Sequence, residues 1–271
     1  MPRSPWSRRG MDRPTISVCI PARNEEATIG ALVAELATQR VEVGGFIDEL
    51  IVMDHESTDR TADAARTSGA RVVAANHVAS EWGPAQGKGD VLWRSLLVSR
   101  GDIVVWLDAD LESLPGQCVE RLAQPLIDHP EVVLVKGAFL RSLGGRPGEG
   151  GRVTEIAAKP ALRLLAPELA HIAQPLSGQC ALRRTAAEHL VFEIDYGVEV
   201  GMLLDLAYEH GAQSIREVNL GAIEHRHRSL RELSRQSEQV LRAILSRMGH
   251  RHLQSRTAGR PPVASLRTSV A

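Results

Sequence analysis

The stretch "GDIVVWLDADLES", Gly101 to Ser113, decides the fold. Ile103 to Leu107 are all apolar and mostly β-branched or large, the pattern of a short strand buried on both faces. Asp108 and Asp110 arrive where such a strand leaves its sheet. Two acids separated by one alanine at that point call for a cation.

Working outward, "TISVCIP", "DELIVMD" and "ARVVAA" repeat the short apolar pattern, while "NEEATIGALVAELATQ" and "STDRTADAARTSG" between them carry helical spacing. This alternation predicts an α/β fold, a mostly parallel Rossmann-like sheet flanked by helices. Asn24 is expected to cap the first helix, and Ser57 or Thr58 the second, which ends at Gly69. Ligands of open α/β sheets bind beyond the carboxyl ends of the strands, so "IPARNEE", "MDHEST" and "LDADLES" are expected to share one crevice.

The remaining organisation is coarser. Residues 1–14 read as a flexible basic arm and 15–140 as a nucleotide-binding half. A Gly-rich stretch, "RSLGGRPGEGGR", opens a more helical half over 141–250, in which "QPLSGQCALRR" follows a helical pattern and "EVNLGAIEHRHRS" reads as strand and turn. Residues 251–271 read as a disordered tail. The helix "LRELSRQSEQVLRAILSRMG" has an apolar face that suits either its own domain or a second copy in a homodimer.

Composition narrows the partners. The chain has 271 residues, 43% of them apolar, and 32 basic against 33 acidic side chains, a net charge of −1. That balance gives no electrostatic case for nucleic acid or an anionic membrane. No apolar run approaches the length of a membrane span, and the basic start "MPRSPWSRRG" lacks the apolar core of a secretory signal. Cys19, Cys118 and Cys180 form no close pair, which suits a reducing cytoplasm.

Several residues invite chemical roles, each with a plainer alternative. Asp108 and Asp110 suit Mg²⁺ or Mn²⁺, or serve as a capping acid beside a solvated one. Lys88, between Gly87 and Gly89 at a helix start, suits a diphosphate or is a surface lysine. His225 and His227 in "EHRHR" offer a metal ligand or are exposed. Gly151, Arg152 and Thr154 in "GGRVTE" form an anion cradle or a capped helix start. Glu199, in the apolar "YGVEVGMLLD", needs a partner, whether substrate or salt bridge.

Taken together, "IPARNEE", "DHESTDRT", "GKGDVLWRSL", "GDIVVWLDADL", "LVKGAF", "GGRVTE", "QPLSGQ", "YGVEVG" and "EHRHRSL" occur in the order found in GT-A glycosyltransferases. Within that fold the chain resembles the retaining glucosyl-3-phosphoglycerate synthases over most of residues 15 to 247. The resemblance implies a metal-dependent transferase that moves a sugar, glucose first, from a nucleoside diphosphate sugar to a small phosphorylated acceptor such as 3-phosphoglycerate. It implies that Pro21, Ala22, Asn24 and Glu25, with His55 and Ala109, line the donor site, and that Lys88 approaches the phosphates. Asp110 and His225 would hold Mg²⁺ or Mn²⁺, with Asp108 at the ribose or the metal shell. Gly151, Arg152, Val153 and Thr154, with His227, would hold the acceptor, and Glu199 would orient the reacting groups.

The resemblance also makes 15–140 the donor half and 141–250 the acceptor half. Three departures from the family pattern stand out: His55 replaces a small residue beside the nucleotide, Gln179 replaces an acid expected on the acceptor side, and the stretch around Leu140 departs from the family's more aromatic pattern after the strand. A specialised relative with another donor or phosphorylated acceptor fits the same pattern, as does a sugar-nucleotide-binding protein that has lost catalysis.

Overall fold

The computed structural model describes residues 13–43, 45–112, 116–140, 142–143, 146–147, 151–222 and 229–248. In chain order the strands are β1 (Ile16–Ala22), β2 (Glu49–Asp54), β3 (Arg71–Ala74), β4 (Ile103–Trp106), β5 (Leu134–Leu140), the short β6 (Ser142–Leu143) and β7 (Arg146–Pro147), β8 (Cys180–Arg183) and β9 (Ile215–Ala222). The helices are α1 (Ile29–Ala37), α2 (Thr61–Thr67), α3 (Lys88–Val98), α4 (Cys118–Asp128), α5 (Lys159–Leu165), α6 (Arg184–Ala187), α7 (Val198–His210) and α8 (Leu230–Met248).

Seven strands make one sheet in the order β3-β2-β1-β4-β8-β5-β9. The pairs β1–β2, β1–β4, β2–β3 and β5–β9 are parallel, while β8 runs antiparallel to both β4 and β5. The mostly parallel sheet is therefore as expected. The strand β8 is not: the sequence places "QPLSGQCALRR" in a helical region, but Cys180, Ala181 and Leu182 are all buried inside the sheet. Four short residues gave too little periodicity to separate strand from helix. Strands from both halves of the chain thus share one sheet.

Burial on both faces follows from the strand side chains. Along β4, Val104 and Trp106 enter a core with α3, α5, α7 and α8, and Ile103, Val105 and Leu107 enter the opposite core with α1 and α4. This is the two-faced burial that the unbroken apolar run required. Helix α8 turns Val240, Ala243, Ile244 and Met248 into its own domain, leaving Leu241 and Leu245 exposed.

Two helix starts differ from expectation. Helix α1 begins at Ile29, after a turn in which Asn24 adopts a left-handed backbone (φ 57°), and α2 begins at Thr61. The side chains of Asn24 and Ser57 join two loops to each other instead, while Asp59 accepts from the Thr61 N–H at 3.0 Å. Gly69 does follow the end of α2, with φ 105°. Of the expected N-terminal arm, residues 1–12 lie outside the described residues, and Arg13 is fixed by an ion pair to Asp48 at 2.9 Å. Residues 251–271, the expected tail, lie outside them as well. Among the described residues, no helix is long and apolar enough to cross a membrane.

Candidate active site

Because β1, β2 and β4 are parallel, the loops that follow them leave the sheet at one edge, and they are tied together there. Asn24 Oδ1 accepts from the Thr58 N–H at 2.8 Å, and the Asn24 N–H donates to Ser57 Oγ at 3.0 Å. The Glu25 N–H donates to Thr61 Oγ1 at 2.8 Å, and Thr28 Oγ1 donates to the Ala109 carbonyl at 2.7 Å. His55 is buried, with its N–H on the Ala22 carbonyl at 2.8 Å and Nε2 donating to the Ala85 carbonyl at 2.9 Å. Pro21 and Ala22 end β1 beside this junction. Of the expected donor-site residues, Ala22, Asn24, Glu25, His55 and Ala109 therefore fall among the bonds that tie these loops, with Pro21 adjacent in β1. A left-handed asparagine is tolerated here because its short amide finds local partners.

The acids after β4 are placed unequally. Asp108 Oδ1 accepts from Lys88 Nζ at 2.5 Å and Asp108 Oδ2 from Gln179 Nε2 at 2.9 Å. Lys88 Nζ also lies 2.6 Å from Glu199 Oε1, in the first turn of α7, whose side chain is 5% exposed. One ammonium thus bridges a carboxylate from the loop after β4 and one from α7. Burial opposes its charge, but Asp108 and Glu199 more than offset that and hold its pKa well above the ordinary lysine value. The partner that Glu199 needed in its apolar surroundings is Lys88. Half-buried Asp110 sits in the turn two residues beyond Asp108.

The glycines flanking Lys88 have a steric reason. A Cβ on Gly89 would overlap the Glu193 carbonyl oxygen, and the Asp90 N–H donates to the Ile194 carbonyl at 3.3 Å. The start of α3 is packed onto the segment before α7, and one of its N–H groups is already spent there. Farther along α3, buried Arg94 binds Asp90 at 3.0 Å, the Gly83 carbonyl at 2.8 Å and the Val78 carbonyl, which fixes the preceding loop.

On the other expected site, Gly151 has φ 76° and precedes a helical segment that runs from Arg152 to Leu165. Val153 and Thr154 are buried in its first turn, so Thr154 lies inside the helix and not at its cap. The arrangement puts Gly151 to Thr154 at a helix N-terminus, which suits an anion. His225 and His227 lie outside the described residues.

One residue escapes the sequence reading, and the contact of another differs from it. Lys136 is fully buried in β5, and Nζ donates to the Ser177 carbonyl at 2.6 Å; burial pushes its pKa down. A lysine inside the apolar run "LVKGAF" was the available signal. Gln179 was expected on the acceptor side, but it is buried against Asp108. Its placement depends on the antiparallel course of β8, which the sequence did not disclose.

Among the described residues there is no cluster of three or more potential metal ligands. Mg²⁺ and Mn²⁺ fit such a site, since they are commonly held by one or two protein carboxylates together with substrate phosphates and water. Half-buried Asp110, beyond the carboxyl end of β4, is a ligand of the type such an ion takes.

The sequence profile of glycosyl transferase family 2 matches residues 17–191. The chain belongs to this family. Glycosyl transferase family 2 membership makes it an enzyme of glycosyl transfer, and its relatives agree. Glucosyl-3-phosphoglycerate synthase of Mycolicibacterium paratuberculosis is 45% identical over 242 residues, covering 87% of this chain and 73% of that protein. A crystal structure of the Mycobacterium tuberculosis glucosyl-3-phosphoglycerate synthase with Mn²⁺, uridine diphosphate and phosphoglyceric acid superposes with a TM-score of 0.80, at 43% identity over 87% of this chain and 79% of that one. Another crystal structure of that synthase, with Mn²⁺ and uridine diphosphate glucose, gives a TM-score of 0.81 at the same identity and coverage.

Proposed function

We propose that the chain transfers glucose from uridine diphosphate glucose to 3-phosphoglycerate, with retention at the anomeric carbon, in the cytoplasm. The observation that carries this reading is the bridge from Asp108 through Lys88 to Glu199, at the edge where the loops of a family 2 transferase meet. The substrates come from relatives at this level of identity. The three buried, unpaired cysteines suit a reducing compartment.

In this proposal the loops of Pro21 to Glu25, His55 and Ala109 seat the nucleotide, and Asp110 and His225 hold Mg²⁺ or Mn²⁺. When bound, the metal neutralises charge on the departing diphosphate. Lys88 places a fixed positive charge beside the diphosphate without needing to reorganise, because Asp108 and Glu199 already hold it. Glu199 accepts a hydrogen bond from the sugar or from the incoming hydroxyl. Gly151 to Thr154 and His227 hold the acceptor's phosphate at a helix N-terminus. The division of labour is a donor half over 15–140 and an acceptor half over 141–250. Among the described residues, Glu199 and Asp108 share one lysine and are not set as a nucleophile and acid–base pair, so retention is assigned to attack on the face the diphosphate leaves. A homodimer belongs to the same proposal, with Leu241 and Leu245 as its contact, and analytical ultracentrifugation tests it.

The deciding experiment supplies Mg²⁺ and a panel of nucleoside diphosphate sugars with and without 3-phosphoglycerate, and measures nucleoside diphosphate release and the product's anomeric configuration. Release from uridine diphosphate glucose that requires 3-phosphoglycerate and gives an α-linked product is the expected result. Release dependent on another phosphorylated acceptor assigns a different substrate, and donor binding without release under any acceptor makes the chain a binding protein.

A further inference from the structure

The candidate site is backed by a line of buried polar groups. The register brings them together: Trp106 of β4 pairs with Cys180 of β8, and Cys180 in turn pairs with Lys136 of β5. Since β8 is antiparallel, its first residue lies beside the last residue of β4, so Gln179 arrives next to Asp108. The turn from Ser177 to Gln179 is therefore held between a strand-borne lysine on one side and a carboxylate of the site on the other.

The contacts run without a gap. Lys136 Nζ donates to the Ser177 carbonyl at 2.6 Å, Ser177 Oγ lies 3.2 Å from both the Gln179 main-chain carbonyl oxygen and Gln179 Oε1, and Gln179 Nε2 donates to Asp108 Oδ2 at 2.9 Å. Asp108 Oδ1 then meets Lys88, which meets Glu199. Lys136, Ser177 and Gln179 are each 0% exposed. Gly178 completes the fit, since a Cβ there would lie 2.7 Å from the Asp108 carboxyl carbon. Because an ionised carboxylate only accepts, the Gln179 amide turns its NH₂ toward Asp108 and its carbonyl oxygen toward Ser177.

We propose that Lys136 and Gln179 are positioning residues for glycosyl transfer: they lock the Ser177–Gln179 turn so that Asp108 is oriented, and through Lys88 they set the placement of Glu199. This rests on the reading of Lys88, Asp108 and Glu199 as the catalytic centre. Burying a lysine whose hydrogen-bond partner is a backbone carbonyl is costly, and its place in the strand accords with a geometric task, not with stability alone. In this chain the amide of Gln179 engages Asp108 without adding a second negative charge beside it.

The test compares Lys136→Met and Gln179→Leu, their double variant and Glu199→Gln with the parent in the full chain. Uridine diphosphate release is followed with uridine diphosphate glucose, 3-phosphoglycerate and Mg²⁺, alongside thermal unfolding. Since a displacement of about 1 Å at a reacting group can cost about a hundredfold, each single variant is expected to lose about ten- to a hundredfold in kcat, with KM for both substrates changed less than about threefold. The double variant is expected to fall no further than the worse single, because both act on the same turn. Folded single variants with kcat within about twofold of the parent, or losses that multiply in the double variant, overturn the proposal. If Lys136→Met does not fold, Gln179→Leu, which changes no charge, carries the kcat test alone. Glu199→Gln separates the two levels: an inactive Glu199→Gln beside fully active Lys136→Met and Gln179→Leu removes only the positioning role, whereas an active Glu199→Gln removes the catalytic reading and the positioning role with it.

Discussion

Lys88 lies within 2.6 Å of a carboxylate oxygen on each side, one from Asp108 and one from Glu199. Replacing it by methionine leaves two mostly buried acids facing a side chain that donates nothing. Lys88→Met is therefore expected to reduce stability by about 3–5 kcal/mol, the cost typical of leaving a buried charge without its partner. Loss of the fixed positive charge is expected to reduce glycosyl transfer by about 10²–10³-fold in the protein that remains folded. Urea unfolding and initial rates check the two effects separately. The residue types at this site were legible in the sequence: an isolated Glu199 among apolar neighbours demanded a partner, and the strand-terminal acids demanded a cation. The identity of the partner was not, because Lys88, Asp108 and Glu199 are brought together only by the packing of α3 and α7 on β4.

Among the elements, the seating of α3 controls where Lys88 points. Gly89 lets its first turn lie against the Glu193 carbonyl, and the Asp90 N–H is bonded to Ile194 in the same segment. That segment is anchored from its far side, since Arg247 of α8 binds Glu193 at 2.6 Å and Asp205 of α7 at 2.7 Å. Alanine in place of a helical glycine ordinarily stabilises by about 1 kcal/mol. Here the steric overlap reverses the sign, and Gly89→Ala is expected to destabilise by about 1–3 kcal/mol, in the range of overpacked sites. It should also lower kcat by at least about tenfold, because the displaced turn carries Lys88. Thermal unfolding with parallel kinetics reads both, and a variant as stable and active as the parent would show that α3 can shift without consequence. The paired glycines suggested a phosphate cradle when read alone; close backbone contact was the unseen alternative. The strands β1 to β4 and helices α1 to α3 could be read from period and punctuation. Strand β8 could not, since three apolar residues and an arginine after a turn give no period, and with it went the placement of Gln179.

For the molecule as a whole, the two cores enclose all three cysteines. Burial raises the Cys19 thiol from its ordinary 9.0 to about 12, Cys118 likewise to about 12, and Cys180 to about 11. In the unfolded chain these thiols ionise near pH 9, while in the folded protein they remain protonated. The folded state therefore binds more protons above pH 9, and linkage makes stability fall as pH rises through that window. The full contribution is present below pH 9, and each thiol removes about 1.4 kcal/mol per pH unit from there toward its folded value. Cys118 lies in α4 against one face of the sheet, away from the bridge at Lys88, so Cys118→Ala isolates one thiol. Urea unfolding at pH 8, 9.5 and 10.5 should give the parent a steeper alkaline loss than Cys118→Ala, by about 1.4 kcal/mol per pH unit above pH 9. Other groups, such as tyrosines and lysines, titrate in both proteins and cancel in the difference. Equal slopes would mean that the Cys118 thiol ionises in the folded protein, and that the α4 face of the core admits water and charge where the packing places neither.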